Sequence, residues 1–356
     1  MRKIPKICVI EGDGVGKEVV PETVRILKEI GDFEFINAEA GLECLKKYGD
    51  AIPEETIQTA KECDAVLFGA ITTPKPTELK DKTYRSPILT LRKELDLYAN
   101  VRPIYNFYEN QRFSNPVGGA KHFCSDNNID FVIVRENTEG LYSKREYYNE
   151  EGEFAVAERI ISKKGSERII KFAFDYAVKN NRKKVSCIHK SNVLRITDGL
   201  FLEIFNNIGL EYNKKFNMEF NDYLVDATAM YIIKNPQMFD VMVTTNLFGD
   251  ILSDEASALI GGLGMAPSAN IGDKSGLFEP VHGSAPDIAG KGIANPIGTI
   301  LSAAMMLDYL DMKKKGDLLR AAVKSLLEKG FVTPDLGGSL KTSEVTDKII
   351  EHIHKI

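Results

Sequence analysis

The chain has 356 residues, 46 of them Lys or Arg and 51 Asp or Glu, so its formal net charge is −5. This mildly acidic balance argues against nucleic acid or an anionic membrane as the main partner and favours a small-molecule ligand. With 43% hydrophobic residues, the chain is long enough for two domains or one large α/β unit with sizeable cores.

The N-terminal residues and the cysteines favour a cytoplasmic protein. The apolar run at 7–10 is short and leads directly into Gly and Asp, unlike a secretory signal. No apolar stretch approaches the ~18 residues of a membrane span. The cysteines include no CxxC pair, and one would remain after full pairing, so we expect reduced thiols. They are Cys8, Cys44, Cys63, Cys124 and Cys187.

Short apolar, β-branched runs alternate with helical patterns along the chain, as in βαβ units. Strands are predicted at 6–11, 34–38, 65–70, 131–134, 185–189 and 241–245, and a helix at 16–30. Segments rich in Gly, Asn or Asp follow the later strands, so we expect the function to lie at strand ends of a parallel sheet. The polar segments 105–128 and 143–153 are predicted insertions or interface elements, and a hairpin or exchanged arm is expected after the second.

The glycine-rich turn at 11–17 follows the first strand and opens the first helix, which is typical of a phosphate-binding loop. Both standard patterns fail, because Lys17 replaces the third Gly of GxGxxG and Glu11 replaces the first Gly of GxxxxGK. A tight strand-to-helix turn without a ligand is the alternative interpretation.

The segment 240–254 predicts a metal site. A strand ending near Asn246 is followed by a helix on which Asp250 and Asp254, four residues apart, share one face. Hard cations such as Mg2+ or Mn2+ take carboxylate oxygens, and Asp226, at the head of an earlier helical stretch, could be a third ligand. The alternatives are that acidic residues favour a helix N-terminus and that Asp226 is an N-cap.

Three arginines form a second candidate group. A guanidinium binds a carboxylate through two parallel hydrogen bonds, so Arg92, Arg102 and Arg135 together would suit a substrate with several carboxylates. Each alone could be a surface ion pair. Arg102 precedes Pro103 and Arg135 ends the apolar run 131–134, which favours binding roles at strand ends.

Tyr142 and Lys190 are candidate proton carriers. Lys190 closes the predicted strand at 185–189, where a charge is unfavourable unless it points into a site, and Tyr142 follows a polar segment. A lysine beside a cation or a buried surface can be tuned for acid–base chemistry. Structural roles are the alternative for both residues.

Two long glycine-rich loops, 261–272 and 282–295, would let backbone amides approach a nucleotide. Asp287 in the second loop could accept hydrogen bonds from ribose hydroxyls and repel a 2′-phosphate. Loop plasticity alone is the alternative explanation for the glycines, and Asp287 could be only a helix N-cap.

Taken together, these segments resemble the β-decarboxylating dehydrogenases, the family of isocitrate, 3-isopropylmalate and homoisocitrate dehydrogenases. The resemblance covers essentially the whole chain. Its motifs are GDGVG at 12–16, LRKELDLYANVRP at 91–103, RENTEGLY at 135–142, HKSN at 189–192, NLFGDILSD at 246–254 and EPVHGSAPDIAG at 279–290.

The resemblance implies an α/β fold that is not a Rossmann fold, with two α/β domains. The large cofactor-side domain would be discontinuous, comprising 1–102 and 256–356, and 103–255 would form the small dimerisation and substrate domain with a clasp arm near 143–165. A homodimer or higher homo-oligomer is implied, with Lys190 and Asp226 shared across the interface, and neither nucleic acid nor membrane as a partner.

The resemblance also assigns roles to residues of this chain. Tyr142 and Lys190 would be catalytic, and Asp226, Asp250 and Asp254 would bind Mg2+ or Mn2+. Substrate would be bound by Arg85, Ser86, Arg92, Arg102, Arg135 and Asn192. NAD would be bound by Thr72, Glu279, His282, Gly283, Ser284, Ala285, Asp287, Ile288 and Asn295.

The implied reaction is NAD- and metal-dependent oxidative decarboxylation of a 2-hydroxy-tricarboxylic acid, namely homoisocitrate to 2-oxoadipate and CO2. Isocitrate enzymes carry an Asn where this chain has Ile88. Apolar Ile88 and Leu89 could flank a methylene chain while Arg85 or Lys82 meets a distal carboxylate, as in the homoisocitrate enzymes of methanogens. Isocitrate and 3-isopropylmalate are the alternative substrates, and a non-catalytic regulatory paralogue is a remote alternative.

Overall fold

The computed structural model describes residues 4–79, 84–107 and 129–355. The chain forms two compact units. Among the described residues, unit 1 contains those up to Leu97, Phe107 and those from Ile260 onwards, and unit 2 contains Tyr98–Asn106 and residues 129–259. The N- and C-terminal parts of the chain therefore build one unit, and the middle of the chain builds the other.

The strands follow one another along the described chain with these bounds. They are β1 (Lys6–Gly12), β2 (Glu34–Asn37), β3 (Ala65–Ala70), β4 (Ala99–Tyr105), β5 (Asp130–Glu136), β6 (Glu146–Tyr148), β7 (Ala155–Ala157), β8 (Lys184–His189), β9 (Glu219–Leu224), β10 (Val241–Thr244), β11 (Pro267–Ile271) and β12 (Gly276–Pro280).

The α-helices lie between and after these strands. They are α1 (Gly16–Ile30), α2 (Leu42–Tyr48), α3 (Glu54–Glu62), α4 (Pro76–Leu79), α5 (Pro87–Glu94), α6 (Lys163–Lys179), α7 (Thr197–Phe216), α8 (Val225–Lys234), α9 (Asn246–Ser257), α10 (Ile297–Tyr309), α11 (Lys313–Glu328) and α12 (Thr342–Ile353).

In unit 1 the strands pair in the order β2-β1-β3-β12-β11. All neighbours are parallel except β11 and β12, which are antiparallel. β3 is buried along its whole length because it lies between β1 and β12, which explains its continuous apolar sequence. One core cluster joins Cys8, Phe68, Leu91 and Leu277, so residues from both ends of the chain share one core.

In unit 2 the strands pair in the order β4-β5-β10-β8-β9. β4 and β5 are antiparallel, and the remaining pairs are parallel. Parallel pairing places the C-terminal ends of β5, β8 and β10 along one edge, so the loops that follow Glu136, His189 and Thr244 lie along that edge. A separate hairpin, β6–β7, lies in the segment where an arm was expected.

Most predicted elements agree with the structure, and two features differ. The segment 261–272 was predicted as a glycine-rich loop, but Pro267–Ile271 forms β11, because Ala269 and neighbouring small residues are buried against β12. β4 lies wholly in unit 2, whereas a boundary after Arg102 would divide it. Most of the segment 105–128 lies outside the described residues, as do Lys82 and Cys124.

Cys8, Cys44, Cys63 and Cys187 are free thiols, in agreement with the expectation for these four residues. Among the helices in the described ranges, none is both long enough and apolar enough to cross a membrane.

Candidate active site

The pairing of β4 with β5 places two arginines on one face of the unit 2 sheet. Asn100 lies directly opposite Arg135, and Arg102, two residues further along β4, points to the same side because side chains alternate along a strand. Arg102 Nε donates to Asn100 Oδ1 at 2.8 Å. Both guanidinium groups are buried, so their charges must be compensated nearby.

Helix α9 covers this face and supplies the compensation. It begins at Asn246, whose Oδ1 accepts hydrogen bonds from Nε and Nη2 of Arg135 at 3.0 and 2.7 Å. Gly249 permits the close approach, because a Cβ at this position would lie 2.7 Å from the Arg135 side chain. The helix therefore presents its next residue, Asp250, directly to the guanidinium groups.

Asp250 and Asp254 share one face of α9 and pair with the two arginines. Asp250 forms ion pairs with Arg135 and, at 3.5 Å, with Arg102. Asp254 pairs with Arg102 at 3.1 Å, and Ser253 Oγ accepts a hydrogen bond from the same guanidinium at 2.6 Å. The structure thus brings together four of the residues singled out from the sequence.

Tyr142 completes this group from the loop after β5. It lies in the short 3-10 turn Leu141–Ser143, and its hydroxyl donates to Asp250 Oδ2 at 2.5 Å. The Arg135 guanidinium lies over its ring, 5.0 Å from the centroid. Burial raises the pKa of Tyr142, the cation of Arg135 opposes that change, and Asp250 adds to it. The phenol therefore keeps its proton at neutral pH.

The two carboxylates fit a hard divalent cation. Burial raises the pKa of Asp254, as does the neighbouring charge of Asp250, so the ionised pair is stable only beside positive charge. Asp254 still exposes 53% of its side chain, which leaves oxygen atoms accessible. Within the described residues no three His, Cys, Asp or Glu side chains form a complete metal-binding group, so these two would need ligands from substrate or elsewhere.

Lys190 and Asp226 lie in unit 2 as a separate pair. Lys190 directly follows β8, and its Nζ forms an ion pair with Asp226. This hydrogen bond lowers the pKa of Asp226. The alternative that Asp226 is an N-cap is wrong, because α8 begins at Val225 and its N-cap is Leu224. Asn192, in the turn after Lys190, is exposed.

Arg92 lies in unit 1 near the end of α5. Its Nη2 donates to Glu279 Oε1 at 3.0 Å, and the same oxygen accepts from Asn270 Nδ2 at 2.8 Å. The Nε of Arg92 is buried and has no hydrogen-bond partner in the described part of the chain. A buried unpaired donor is unfavourable unless a ligand satisfies it, which supports a binding role for Arg92.

Arg85 and Ser86 precede α5. Arg85 Nη2 donates to Asp50 Oδ2 at 2.5 Å and to the carbonyl of Ile52 at 2.7 Å, so this guanidinium is already partly engaged within unit 1. Ser86 is the N-cap residue of α5, and its side chain makes no capping hydrogen bond. A role for either residue in binding substrate stays a prediction.

The glycine-rich turn after β1 supports the loop that contains Ser284. The Asp13 carboxylate accepts hydrogen bonds from the backbone N–H groups of Leu42 and Thr72, each at 2.9 Å. Thr72 Oγ1 in turn donates to Ser284 Oγ at 2.5 Å. At Gly14 a Cβ would lie 2.0 Å from the Ser284 carbonyl oxygen, so glycine is required for this contact. The turn therefore supports the segments that contain Thr72 and Ser284, as expected for a tight strand-to-helix turn.

The loop around Asp287 has the features needed to hold a nucleotide. A Cβ at Gly283, Gly290 or Gly292 would meet nothing within 4 Å, so the backbone faces open space. The Asp287 carboxylate is exposed, and the alternative that it caps a helix is wrong, because turns rather than a helix follow it. Ala285, two residues earlier, has φ 39°, which turns the backbone sharply there.

Other predicted cofactor residues have partners within unit 1. The Asn295 side chain accepts from the N–H of Ile297 and donates to Asp335, each at 3.0 Å. His282 hydrogen-bonds the carbonyl of Gly283 at 2.9 Å through Nδ1, which must therefore carry the proton. Burial lowers the pKa of His282. Ile288 is partly buried.

Two supporting residues were missed by the sequence analysis. Asn246 was taken only as a strand end, yet its carboxamide orients Arg135. Asp13 was quoted as part of a motif, yet its carboxylate fixes the Thr72 backbone. The signal was present in both cases, since a polar residue beside a strand end or within a glycine turn often bonds the local backbone or an adjacent side chain.

Comparison with known proteins places this chain in a family. The isocitrate/isopropylmalate dehydrogenase family matches residues 6–349. A homoisocitrate dehydrogenase of Methanocaldococcus jannaschii is 65% identical over 98% of both chains, and a 3-isopropylmalate/3-methylmalate dehydrogenase of the same organism is 51% identical over 98% of this chain and 99% of that one. The crystal structure of isocitrate dehydrogenase from Methylococcus capsulatus, 41% identical, matches with a TM-score of 0.88 over 98% of this chain and 99% of that chain.

The fold and site therefore define an oxidoreductase. The chain belongs to the isocitrate/isopropylmalate dehydrogenase family, and it is a β-decarboxylating dehydrogenase. The predictions of an α/β fold of this family and of a catalytic member of it are both confirmed.

Proposed function

We propose that this protein catalyses the NAD-dependent and metal-dependent oxidative decarboxylation of homoisocitrate to 2-oxoadipate and CO2. One observation carries the proposal: Arg102, Arg135, Asp250, Asp254 and Tyr142 form a single group in unit 2. The two guanidinium and two carboxylate groups have formal charges that sum to zero. A divalent cation and two substrate carboxylates can therefore enter together without leaving a net charge.

The arginines would bind the substrate carboxylates. Each guanidinium can form two parallel hydrogen bonds with a carboxylate, and burial strengthens such bonds because water competes less. A divalent cation held by Asp250 and Asp254 would supply Lewis-acid stabilisation of negative charge on substrate oxygens. In this arrangement Arg102 and Arg135 would give up their ion pairs with the aspartates and form ion pairs with the substrate carboxylates.

The chain's own proton carriers would complete the reaction. Oxidation removes a proton from the 2-hydroxyl oxygen and a hydride from its carbon, and Lys190 is proposed to relay that proton away from the oxygen. Loss of the β-carboxylate as CO2 leaves the bonding electrons on the carbon that carried it, beside the new 2-oxo group. The Tyr142 hydroxyl is proposed to protonate that carbon. A raised pKa suits Tyr142 to this step, because the phenol still carries its proton when it is needed.

NAD is the proposed hydride acceptor. The exposed Asp287 carboxylate would accept hydrogen bonds from ribose hydroxyls, and no cation is present at 282–289 to pair with a 2′-phosphate. Open space beside Gly283, Gly290 and Gly292 would let the backbone approach the cofactor closely. These features favour NAD over NADP.

The choice of homoisocitrate is supported by the 65% identical homoisocitrate dehydrogenase. Ile88 and Leu89 in α5 are partly buried and apolar, which suits a substrate with an additional methylene group. The 51% identical 3-isopropylmalate/3-methylmalate dehydrogenase supports a second candidate, a 2-hydroxy acid with a shorter apolar substituent.

Steady-state kinetics tests the substrate. The purified protein is assayed with homoisocitrate, isocitrate and 3-isopropylmalate, each with NAD or NADP and with Mg2+ or excess EDTA. The proposal requires the highest kcat/KM for homoisocitrate with NAD and Mg2+. A higher kcat/KM for 3-isopropylmalate would establish the second candidate instead.

We also propose that the protein acts in the cytoplasm as a homodimer in which Lys190 and Asp226 serve the partner's site. Large apolar side chains of unit 2 are exposed in the single chain, including Tyr148 (74%), Phe154 (59%) and Ile196 (86%). Such exposure favours an interface.

Mixing inactive Lys190→Met and Tyr142→Phe subunits should restore activity, because one site of each hybrid dimer would be intact. Hybrids that stay inactive would place Lys190 in its own subunit's site.

A further inference from the structure

Asp198 is a completely buried carboxylate that contacts the backbone of Lys190. It lies in the first turn of α7, where none of its surface is exposed. Its Oδ2 accepts a hydrogen bond from the backbone N–H of Lys190 at 2.6 Å, and its Oδ1 accepts one from Arg159. Burying a carboxylate is costly unless it is paired and hydrogen-bonded, and these two donors satisfy one oxygen each.

Arg159 extends this contact to the start of α9. Besides Asp198, its guanidinium donates to Thr197 Oγ1 and Thr245 Oγ1, each at 2.9 Å. Thr245 is the N-cap residue of α9. The guanidinium also lies over the ring of Phe248, 5.2 Å from its centroid. One arginine therefore bridges the loop after β8 and the helix that carries Asp250 and Asp254.

The turn that carries Lys190 is fixed by its backbone. The Lys190 carbonyl accepts hydrogen bonds from Val193 and Leu194 at 3.0 and 2.8 Å, and the Ser191 N–H donates to His189 Nδ1 at 3.1 Å. The Lys190 N–H, however, is bonded to Asp198. The direction of this N–H sets the orientation of the peptide and hence of the Lys190 Cα–Cβ bond.

We infer that Arg159 and Asp198 are positioning residues that fix the Lys190 backbone relative to the N-terminus of α9. Neither residue is proposed to touch substrate or cofactor. The expected effect on turnover rests on the proposed function, in which Lys190 carries a proton. The hydrogen bond from the Lys190 N–H to Asp198 is observed and does not depend on that proposal.

The alternative is that this ion pair only stabilises the fold, and unit 2 offers a matched control. Asp240 also accepts hydrogen bonds from backbone N–H groups, those of Lys183 and Lys184, at 2.6 and 3.1 Å. It also pairs with an arginine, Arg182, at 3.1 Å. Asp240 directly precedes β10, and Lys183 precedes β8, so this pair lies at the opposite ends of the strands from Lys190.

The test compares Asp198→Asn with Asp240→Asn. An asparagine at 198 keeps the shape but has one acceptor oxygen, so either the Lys190 N–H or Arg159 must face an amide NH2 group. We expect kcat to fall about 100-fold, because a displacement of about 1 Å has that effect on a proton-transfer geometry, while KM for NAD stays unchanged. Asp240→Asn should also lower the melting temperature, by less because the Asp240 side chain is 21% exposed, and should keep the wild-type kcat.

Hydrogen exchange measured on the folded wild type and on both variants is the second readout. The backbone amide of Lys190 should exchange faster in Asp198→Asn only, and those of Lys183 and Lys184 faster in Asp240→Asn only. Arg159→Lys, which keeps the charge but cannot bridge Asp198 and Thr245, should lower kcat less than Asp198→Asn does. It also serves as the test variant if Asp198→Asn fails to fold.

Two results would overturn the inference: unchanged Lys190 exchange in both Asp198→Asn and Arg159→Lys, or a kcat in both variants equal to that of Asp240→Asn. An inactive wild type is a different result, since it contradicts the proposed function and leaves the exchange comparison to decide the positioning role.

Discussion

The Tyr142 hydroxyl and the Asp250 carboxylate are joined by a hydrogen bond of 2.5 Å. The same carboxylate pairs with Arg135, whose guanidinium lies over the Tyr142 ring. The proposed proton donor, one proposed metal ligand and one proposed substrate ligand therefore contact one another directly. A change at any of these residues should alter the environment of the other two.

Tyr142→Phe separates oxidation from the final protonation. It removes the hydroxyl while keeping the ring beneath Arg135, so folding should be little affected and turnover of the native substrate should fall by about 100-fold or more, the size expected for loss of a proton donor. The variant should still reduce a 2-oxo acid that needs no decarboxylation. Wild-type turnover in this variant would reduce Tyr142 to a packing residue.

Excess EDTA should abolish activity, and Asp250→Asn should raise the Mg2+ concentration needed to restore it, because one of the proposed carboxylate ligands is lost. Thermal unfolding provides a measurement independent of turnover. At a concentration about 100 times Kd, Mg2+ should stabilise the wild type by about 2.7 kcal/mol, and much less stabilisation is expected in Asp250→Asn. Glu255→Gln, also in α9, is the control and should respond like the wild type.

Full activity in excess EDTA would exclude the metal assignment. A Mg2+-induced stabilisation that is equal in Asp250→Asn, Glu255→Gln and the wild type would show that Mg2+ binds elsewhere.

The residues of the arginine and aspartate group could be predicted from the sequence because local rules determine their positions. A spacing of four places Asp250 and Asp254 on one helix face, and strand ends of a parallel sheet gather at one edge. The pairing of β4 with β5 could not be predicted, because the register Asn100 to Arg135 depends on residues that are far apart in sequence.

Arg85→Gln tests whether the Arg85 guanidinium binds the distal carboxylate of the substrate. Losing one charge-assisted hydrogen bond costs about 1.5–3 kcal/mol, or about 10- to 150-fold in kcat/KM. We expect that loss for homoisocitrate and a smaller one for 3-isopropylmalate, which has no carboxylate at that end. Lys93→Gln, in the exposed part of α5, is the matched control. Equal losses for both substrates would limit Arg85 to its observed partners, Asp50 and the carbonyl of Ile52.

Replacement of Asp287-Ile288 by Lys-Tyr should shift cofactor preference from NAD towards NADP. The exposed carboxylate repels a 2′-phosphate, and the lysine and tyrosine would bond it instead. The ratio of kcat/KM values for the two cofactors measures the shift. Replacing Asp273, an exposed acid outside the loop, by Lys should leave the ratio unchanged. A wild type that prefers NADP would contradict the role assigned to Asp287.

His282→Asn should make the protein less sensitive to mild acid. Burial lowers the pKa of His282 below its ordinary value, so as the pH falls through about 6.5 the unfolded chain takes up a proton that the folded chain does not. The free energy of unfolding therefore decreases in that range. An asparagine keeps a donor for the Gly283 carbonyl but cannot be protonated.

Melting temperatures between about pH 7.5 and 5.5 measure this effect. The wild type and the control His354→Asn, which changes an exposed histidine, should lose more stability than His282→Asn. Identical pH profiles for all three proteins would show that His282 does not contribute.

Other parts of the structure could not be predicted from local sequence patterns. β11 was mistaken for a loop because glycines flank it, whereas its strand conformation comes from pairing with β12 and from burial of small residues such as Ala269. The buried pair of Asp198 with Arg159 is equally long-range, since 39 residues separate the two partners. Tertiary contacts decide both features, and neither leaves a periodic signal.

The position of β12 between β3 and β11 has a consequence for synthesis on the ribosome. β3 is made early, but its neighbour Leu277, which lies opposite Val66, emerges only after the whole of unit 2. The nascent N-terminal segment therefore keeps an unpaired, apolar strand edge in solution while the described residues of unit 2 can already fold, the reverse of the usual N-to-C order. Premature termination before β12 would therefore leave that edge open to pairing with the same edge of other incomplete chains.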